Sequence, residues 1–212
     1  ITLLLFGTLL RVYQLDRALG GGDENQVLLE SVYSPMNYIL TPAGDPHTWN
    51  WSLGYGFDQI FSNIVLRLMV LLFGEENTIA IRFPAFVAGI ACIWMVYKIA
   101  RQISPSKAVA RLALLTISVC PIHIYYSQTA RGYSFIMLFS TLAIYATLKL
   151  LKSDKNLIWC LLLFLSGILS VYTIPLTAVF ILSLAVWVLL VLTMPTLKLE
   201  FGLDLESSKG KF

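Results

Sequence analysis

Long apolar stretches alternate with short polar connections along almost the whole chain. The apolar windows lie at about residues 1–13, 80–100, 107–124, 132–151, 157–173 and 175–194. A helix needs roughly 20 apolar residues to cross the hydrocarbon core of a bilayer, and most of these windows approach that length. The pattern predicts an all-α, polytopic membrane protein with about six transmembrane helices over residues 1–194, followed by a tail at 195–212.

Two short sequences divide the apolar pattern. The last two windows are separated only by "YTIP" at 172–175, and the combined stretch of 157–194 is too long for one span. We therefore expect a turn at Pro175 rather than a kink within one helix. The second divider is "GEEN" at 74–77, where Gly74 predicts the end of the preceding helix.

The long connection at 14–79 contains a helix of its own. The segment "DQIFSNIVLRLMVLLFG" carries polar residues at Gln59, Ser62, Asn63 and Arg67 among apolar ones. Such a segment is too short and too polar to span a bilayer easily, so we expect an amphipathic helix at the membrane interface.

Both ends of the chain are atypical. The chain opens at "ITLLLFGTLLRVYQL" without Met, so we expect the N-terminus of the protein to lie further upstream. The tail "LKLEFGLDLE" alternates between apolar and polar residues, which predicts a strand. Because one strand alone is not stable in water, either residues 197–205 pair with a protein partner or the tail is a cut end.

Composition agrees with a membrane protein. The hydrophobic fraction is 58% and only 13% of residues are charged, whereas soluble domains carry about 25% charged residues. The net charge of +3 is small and its basic residues form no single block. These features argue against a nucleic-acid partner and make membrane lipid the main surroundings.

The distribution of basic residues predicts the orientation. The connections near residues 98–111 and 149–155 and the tail hold ten basic residues: Lys98, Arg101, Lys107, Arg111, Lys149, Lys152, Lys155, Lys198, Lys209 and Lys211. Cytoplasmic loops carry an excess of Lys and Arg. We therefore expect these segments inside, and the 14–79 connection, the 125–131 turn and the turn near 174 outside.

An acidic pair follows the first apolar window. Three glycines at 20–22 precede Asp23 and Glu24, and glycine lets the backbone bend sharply back to the membrane surface. A carboxylate held there can act as general base on an acceptor hydroxyl. Alternatively, Asp23 is a helix N-cap before "ENQVLLE" or a solvated loop residue.

A permanent cation, Arg131, lies between two apolar windows in "YYSQTARGYS". Its guanidinium suits phosphate oxygens, and Tyr126, Gln128 and Tyr133 can add hydrogen bonds and a wall. Alternatively, Arg131 is a snorkelling anchor. Arg82, at the start of the second window, is a similar but weaker phosphate candidate. The chain's two histidines, at 47 and 123, make no recognisable metal site.

Several motifs together resemble a known family. "RVYQLDRALGGGDENQ", a loop helix ending in "LFG", then "IRFPAFVAGI" and "CPIHIYYSQTARGYSF" occur in this order over about residues 1–155. This layout is similar to that of the bacterial relatives of the protein O-mannosyltransferases, which are GT-C glycosyltransferases, and the lipid A aminoarabinose transferases share it.

The resemblance implies a fold and a set of roles. It implies an inverting transfer from a polyprenyl-phosphate-linked sugar, on the outer face of the bacterial inner membrane. Asp23 would be the base, and Glu24 would orient the sugar or acceptor, or help hold a divalent metal where one is used. Arg131 would face the carrier phosphate.

Two other functions stay open. Family members often carry a "tHy" motif near a later span, but the comparable "SVYTIPLT" has no histidine, and the chain has fewer spans. These departures favour a non-catalytic GT-C-like subunit of a larger assembly. A transporter component is the second alternative, although no predicted span carries an acid or a central Gly/Pro break.

Overall fold

The computed structural model describes residues 2–19, 24–25, 27–28, 59–152 and 157–194, and this part of the chain is helical without strands. Its helices are α1 (Thr2–Val12), α2 (Ile60–Phe73), α3 (Thr78–Ile103), α4 (Lys107–Val119), α5 (Pro121–Ser127), α6 (Tyr133–Leu151), α7 (Leu157–Thr173) and α8 (Thr177–Thr193). The predicted all-α fold is confirmed. The predicted strand at 197–205 lies outside the described residues.

The helices bury small polar residues and expose large apolar ones. In α7, the buried residues are Ser166, Ser170 and Thr173, while Phe164 and Leu165 of the same helix are exposed. Exposing such side chains to water would be unfavourable. In a bilayer the order is reversed, since small and hydroxylated residues favour close helix contacts. The outer surface of the bundle is therefore built for lipid.

Two of these helices are long and apolar enough to cross a membrane, namely α3 and α6. The pair α4 and α5 meets the same criteria together but bends by 61°, and the other apolar helices have at most 17 residues. The structure thus supports two or three spans by length, and the prediction of about six spans stays a prediction.

The bend between α4 and α5 divides the apolar window that the sequence predicts at 107–124. The window at 107–124 is not one straight helix, because Cys120 leaves the helical conformation (φ −64°, ψ 116°) and Pro121 starts a new helix. Proline lacks the N–H that would bond the Ile117 carbonyl and cannot continue the α4 hydrogen-bond ladder. The break lies near the end of the window and contains no glycine, so it is not the central Gly/Pro break that would favour a transporter.

A fully buried arginine of α1 fills this break. The Arg11 guanidinium has five N–H groups, and they meet five acceptors: the carbonyl oxygens of Gly7, Ile117 and Ser118, Ser127 Oγ and His123 Nδ1, at 2.7–3.3 Å. Pro121 leaves Ile117 without its usual helical partner, and the change of direction at Cys120 does the same for Ser118. A buried carbonyl needs a donor, and Arg11 supplies one to each.

The remaining contacts define two ends of the bundle. Glu24, Gln59, Arg82 and the turn at 129–132 are joined by hydrogen bonds, and we call this the turn end. Lys152 Nζ donates to the Gln102 carbonyl, which joins the ends of α3 and α6 that carry the predicted cytoplasmic lysines and arginines. We call this the basic end. Among the described residues, the segment after α1 and the 129–132 turn thus lie at one end of the bundle, and the last residues of α3 and α6 lie at the other.

Helix α2 begins and ends near the turn end. Gln59, which precedes α2, accepts a hydrogen bond from the Gly132 N–H of the turn. Thr78, which follows α2 after a short connection, donates its hydroxyl to the Asp16 carbonyl. The polar residues Ser62 and Asn63 are buried, whereas the leucines of its other side are exposed. Leu66 and Val70 are buried on the same side, so the helix turns a mixed polar and apolar face toward the protein. Its location at the membrane interface stays a prediction.

Two predicted helix boundaries are confirmed. Helix α2 ends at Phe73, and Gly74 adopts φ 82° while donating its N–H to the Val70 carbonyl. That positive φ is a conformation that glycine adopts at little cost. Helix α7 ends at Thr173 and α8 begins at Thr177, so Pro175 lies in a turn. The Cβ position of Gly167 lies 3.9 Å from Ile181, as expected for an antiparallel helix pair.

We predict that the basic end faces the cytoplasm and the turn end faces outside. Single cysteines replacing Ser106, at the basic end, and Glu75, beside α2, report on this in a background in which Cys92, Cys120 and Cys160 are serine. Both replaced residues are exposed. An impermeant maleimide applied to intact cells should label position 75 and not position 106. Labelling of position 106 alone would show that the protein has the opposite orientation.

Candidate functional site

The turn at 129–132, between α5 and α6, is fixed by its own backbone N–H groups. The Ala130 N–H donates to Glu24 Oε1 at 2.9 Å, and the Gly132 N–H donates to Gln59 Oε1 at 2.8 Å. Between them, the Arg131 N–H donates to the Thr129 carbonyl at 2.8 Å. Three consecutive amides are thus occupied by protein acceptors, so an anion at this turn would be bound by side chains rather than by a backbone nest.

Glu24 forms a buried, two-pronged ion pair with Arg82. Arg82 Nε lies 2.9 Å from Glu24 Oε1, and Nη2 lies 2.8 Å from Oε2. Arg82 is fully buried and the Glu24 side chain is 8% exposed. Parallel N–H bonds to both oxygens are the strongest geometry for such a pair. The pair links the first connection, the start of α3 and the 129–132 turn.

The other donors of Arg82 also bind protein groups. Nη1 donates to the carbonyl oxygens of Leu15 at 2.8 Å and Arg17 at 2.6 Å, and Nη2 donates to that of Ala18 at 3.4 Å. A guanidinium has five N–H groups, and all five have partners here. Arg82 is therefore a structural cation, and the predicted phosphate contact is not supported because no N–H group of its guanidinium remains for it.

Gln128 also differs from its predicted role. It is 6% exposed, and its amide nitrogen donates to the carbonyl oxygens of Leu10, Arg11 and Tyr13, the closest at 2.6 Å. The last carbonyls of a helix have no partner within it, so Gln128 caps the end of α1. The amide nitrogen that was expected to bind the carrier phosphate instead binds carbonyl oxygens of the protein.

Arg131 and two tyrosines stay together at the surface of the turn end. The Arg131 side chain is half-buried, and its guanidinium carbon lies 5.5 Å from the centre of the Tyr133 ring. The rings of Tyr126 and Tyr133 are 4.3 Å apart. A cation and two phenol groups thus lie beside one another, and a phosphate-binding role for them stays a prediction.

The predicted base, Asp23, lies outside the described residues. Its neighbour Glu24 is described, and both oxygens of its carboxylate accept hydrogen bonds from Arg82 or Ala130. Among the described residues, no group of three His, Cys, Asp or Glu side chains forms a metal site. A metal role for Glu24 therefore has no support from this part of the chain.

Gln59 is a site residue that sequence reasoning missed. It appeared only as a member of a polar stripe, yet it is 3% exposed and bonds a backbone amide 73 positions away. A buried glutamine at the start of a helix is a weak signal, because the sequence does not show which distant amide it meets.

The ion pair leads to a prediction about stability. Replacing Arg82 with methionine leaves the Glu24 charge buried without its partner, which costs about 3–5 kcal/mol in typical buried pairs. Adding Glu24→Gln should recover a large part of this loss, because no charge then remains. The matched control is Arg101→Met, at the opposite end of α3. The measurement is the free energy of unfolding in mixed detergent micelles, and equal losses at positions 82 and 101 would contradict a structural ion pair.

Comparison with known proteins connects this geometry to a family. The family model described as dolichyl-phosphate-mannose-protein mannosyltransferase matches residues 60–202. The match covers well over half of the chain and includes Arg82, Gln128, Arg131 and the tyrosines, while Asp23 and Glu24 precede it. No curated protein and no solved structure gives a significant match. The chain belongs to the dolichyl-phosphate-mannose-protein mannosyltransferase family.

Proposed function

We propose that the protein transfers a sugar from a polyprenyl-phosphate carrier to an acceptor on the outer face of the bacterial inner membrane, with inversion at the anomeric carbon. Membership of the family supports a membrane glycosyltransferase that uses such donors. The family's name contains such a donor, dolichyl-phosphate mannose, in which the sugar is linked to a polyprenyl-type phosphate carrier.

One contact carries the proposal: the 2.9 Å hydrogen bond from the Ala130 amide to Glu24. Glu24 directly follows Asp23 in the sequence, and Ala130 directly precedes Arg131. Each proposed residue is a chain neighbour of one partner in this bond, and this supports the proposal that the base and the phosphate ligand serve one site. The contact joins residues that are 106 positions apart in the sequence.

The reaction needs one proton acceptor and one stabiliser of negative charge. The Asp23 carboxylate takes the proton of an acceptor hydroxyl, whose oxygen then forms a bond to the anomeric carbon. The bond between that carbon and the phosphate oxygen breaks at the same time, and polyprenyl phosphate leaves with the electron pair. A single displacement of this kind inverts the configuration.

Arg131 stabilises the departing phosphate. Its planar guanidinium can offer two parallel donors to phosphate oxygens, and Tyr126 and Tyr133 can add hydroxyl donors beside it. Because the neighbouring backbone amides already have partners, the charge must come from the side chain. The phosphate of a lipid carrier lies at the depth of the membrane surface, which is the depth predicted for the turn end.

We predict that Asp23→Asn abolishes transfer while the protein accumulates in the membrane at a normal level. The amide has nearly the shape of the carboxylate but cannot accept the proton. Asp16→Asn is the matched control, since Asp16 is an exposed acid of the same connection. The assay measures transfer from a polyprenyl-phosphate sugar by the protein in proteoliposomes. Full turnover by Asp23→Asn would remove Asp23 from the mechanism.

We predict that Arg131→Ala weakens carrier binding strongly and that Arg131→Lys weakens it less. Hydrogen bonds to charged groups contribute roughly 1.5–3 kcal/mol each, which corresponds to about a ten- to hundredfold loss of affinity. Lysine keeps the charge but loses the forked geometry.

The control for this series is Arg17→Ala. Arg17 is also half-buried, and its guanidinium carbon lies 5.8 Å from the centre of the Tyr125 ring, a geometry close to that of Arg131. The measurement is the apparent affinity for polyprenyl phosphate in nanodiscs. Equal affinity in wild type and Arg131→Ala would make Arg131 a snorkelling anchor and favour a non-catalytic subunit.

A further inference from the structure

The residues on both sides of Arg131 are held by side chains from distant parts of the chain. Glu24 holds the Ala130 amide from one side, and Gln59 holds the Gly132 amide from the other. With the Arg131 amide bonded within the turn, little freedom remains in the backbone that carries the guanidinium. The direction of the Arg131 side chain therefore depends on these two supports.

Gln59 is placed for this task rather than for capping its own helix. It occupies the N-cap position of α2, but its side chain accepts no hydrogen bond from a backbone N–H of the first turn of that helix. Its Oε1 instead accepts from the Gly132 amide at 2.8 Å and from Ser62 Oγ at 3.3 Å. Ser, Thr, Asp and Asn are the usual N-caps, so a glutamine here gains little for α2 and much for the turn.

The fit around Gly132 makes the contact sensitive. A Cβ at position 132 would lie 2.7 Å from Thr173 Cγ2 and 3.1 Å from both Gln59 Oε1 and Ser62 Oγ. Gly132 has no unusual φ, so the requirement for glycine is one of space. The turn is enclosed by the start of α2 and the end of α7, and only a residue without a side chain lets the Gln59 oxygen approach the amide.

We propose that Gln59 is a positioning residue, which fixes the 129–132 turn so that the Arg131 guanidinium meets the carrier phosphate. The proposal rests on the proposed role of Arg131. Gln59 touches neither carrier nor sugar; it acts on the backbone next to the residue that does. Loss of its oxygen should therefore appear in the use of the carrier rather than in the transfer of the proton.

The test variant is Gln59→Met, which keeps the length and volume of the side chain but removes the strong acceptor. We expect the KM for the polyprenyl-phosphate sugar to rise about tenfold, since the buried Gly132 amide loses its acceptor and the turn loses a fixed position, with kcat changed much less. Ser62→Ala is the local control, because it leaves the Gln59 oxygen on Gly132 and should keep a KM close to that of wild type. Asn77→Ala, which removes the N-cap of α3, controls for a general loss of stability.

Coupling to Arg131 separates positioning from simple support of the fold. In the Arg131→Ala background, Gln59→Met should change polyprenyl-phosphate affinity little further, since residues that act as one unit give non-additive effects. Equal, additive losses in both backgrounds would overturn the proposal. If Gln59→Met does not accumulate in the membrane, Gly132→Ala is the substitute variant. Its added Cβ would crowd the Gln59 oxygen, and it should raise the KM with little change in kcat.

Binding of polyprenyl phosphate to the wild-type protein in nanodiscs separates a failure of the proposed function from a failure of the positioning role of Gln59. Absence of binding to wild type would refute the proposed function itself. Binding to wild type that is equally strong in Gln59→Met would refute only the positioning role.

Discussion

The paired charge of Glu24 and Arg82 is the contact on which the turn end depends. A buried arginine and a buried carboxylate are each unfavourable alone, because the surrounding protein separates both charges from water. Their two short N–H to oxygen bonds compensate for this, and the remaining Arg82 donors bind three carbonyls of the segment after α1. Because Glu24 also accepts the Ala130 amide, the same pair sets the place of Arg131.

Three arginines among the described residues illustrate two kinds of position. Arg11 and Arg82 are fully buried, and each of their N–H groups binds a protein acceptor, so they replace the water that a helix end would otherwise need. Arg131 is partly exposed beside two tyrosines. The two buried arginines hold helix ends and the segments around the 129–132 turn, and a cation on a fixed backbone is what the proposed recognition of a carrier phosphate needs.

Local features were predictable from the sequence, whereas long-range pairings were not. The apolar windows located the helices, and Gly74 and Pro175 located their ends, because helix stops and turns depend on nearby residues. The sequence also marked Glu24 and Arg131 as important. It could not show that Arg82 uses all its donors on protein groups, since the carbonyls that accept them belong to another segment.

Arg11, Gln59 and Gln128 illustrate the same limit. Each of these long side chains bonds backbone atoms made available by a helix end or a turn, and each has such a partner at least 73 positions away. An arginine at the end of an apolar run resembles a snorkelling anchor when read alone. Only the break before Pro121, more than a hundred residues later, explains why Arg11 is buried.

Photo-crosslinking tests the central claim most directly. A polyprenyl phosphate with a photoreactive group on the isoprene unit next to the phosphate would be incorporated with the protein in nanodiscs, and adducts would be mapped by peptide mass spectrometry. Adducts should concentrate between Tyr125 and Phe135 and disappear with excess unlabelled carrier. Adducts spread along exposed α8 and absent from the 129–132 turn would contradict a carrier site organised by Glu24.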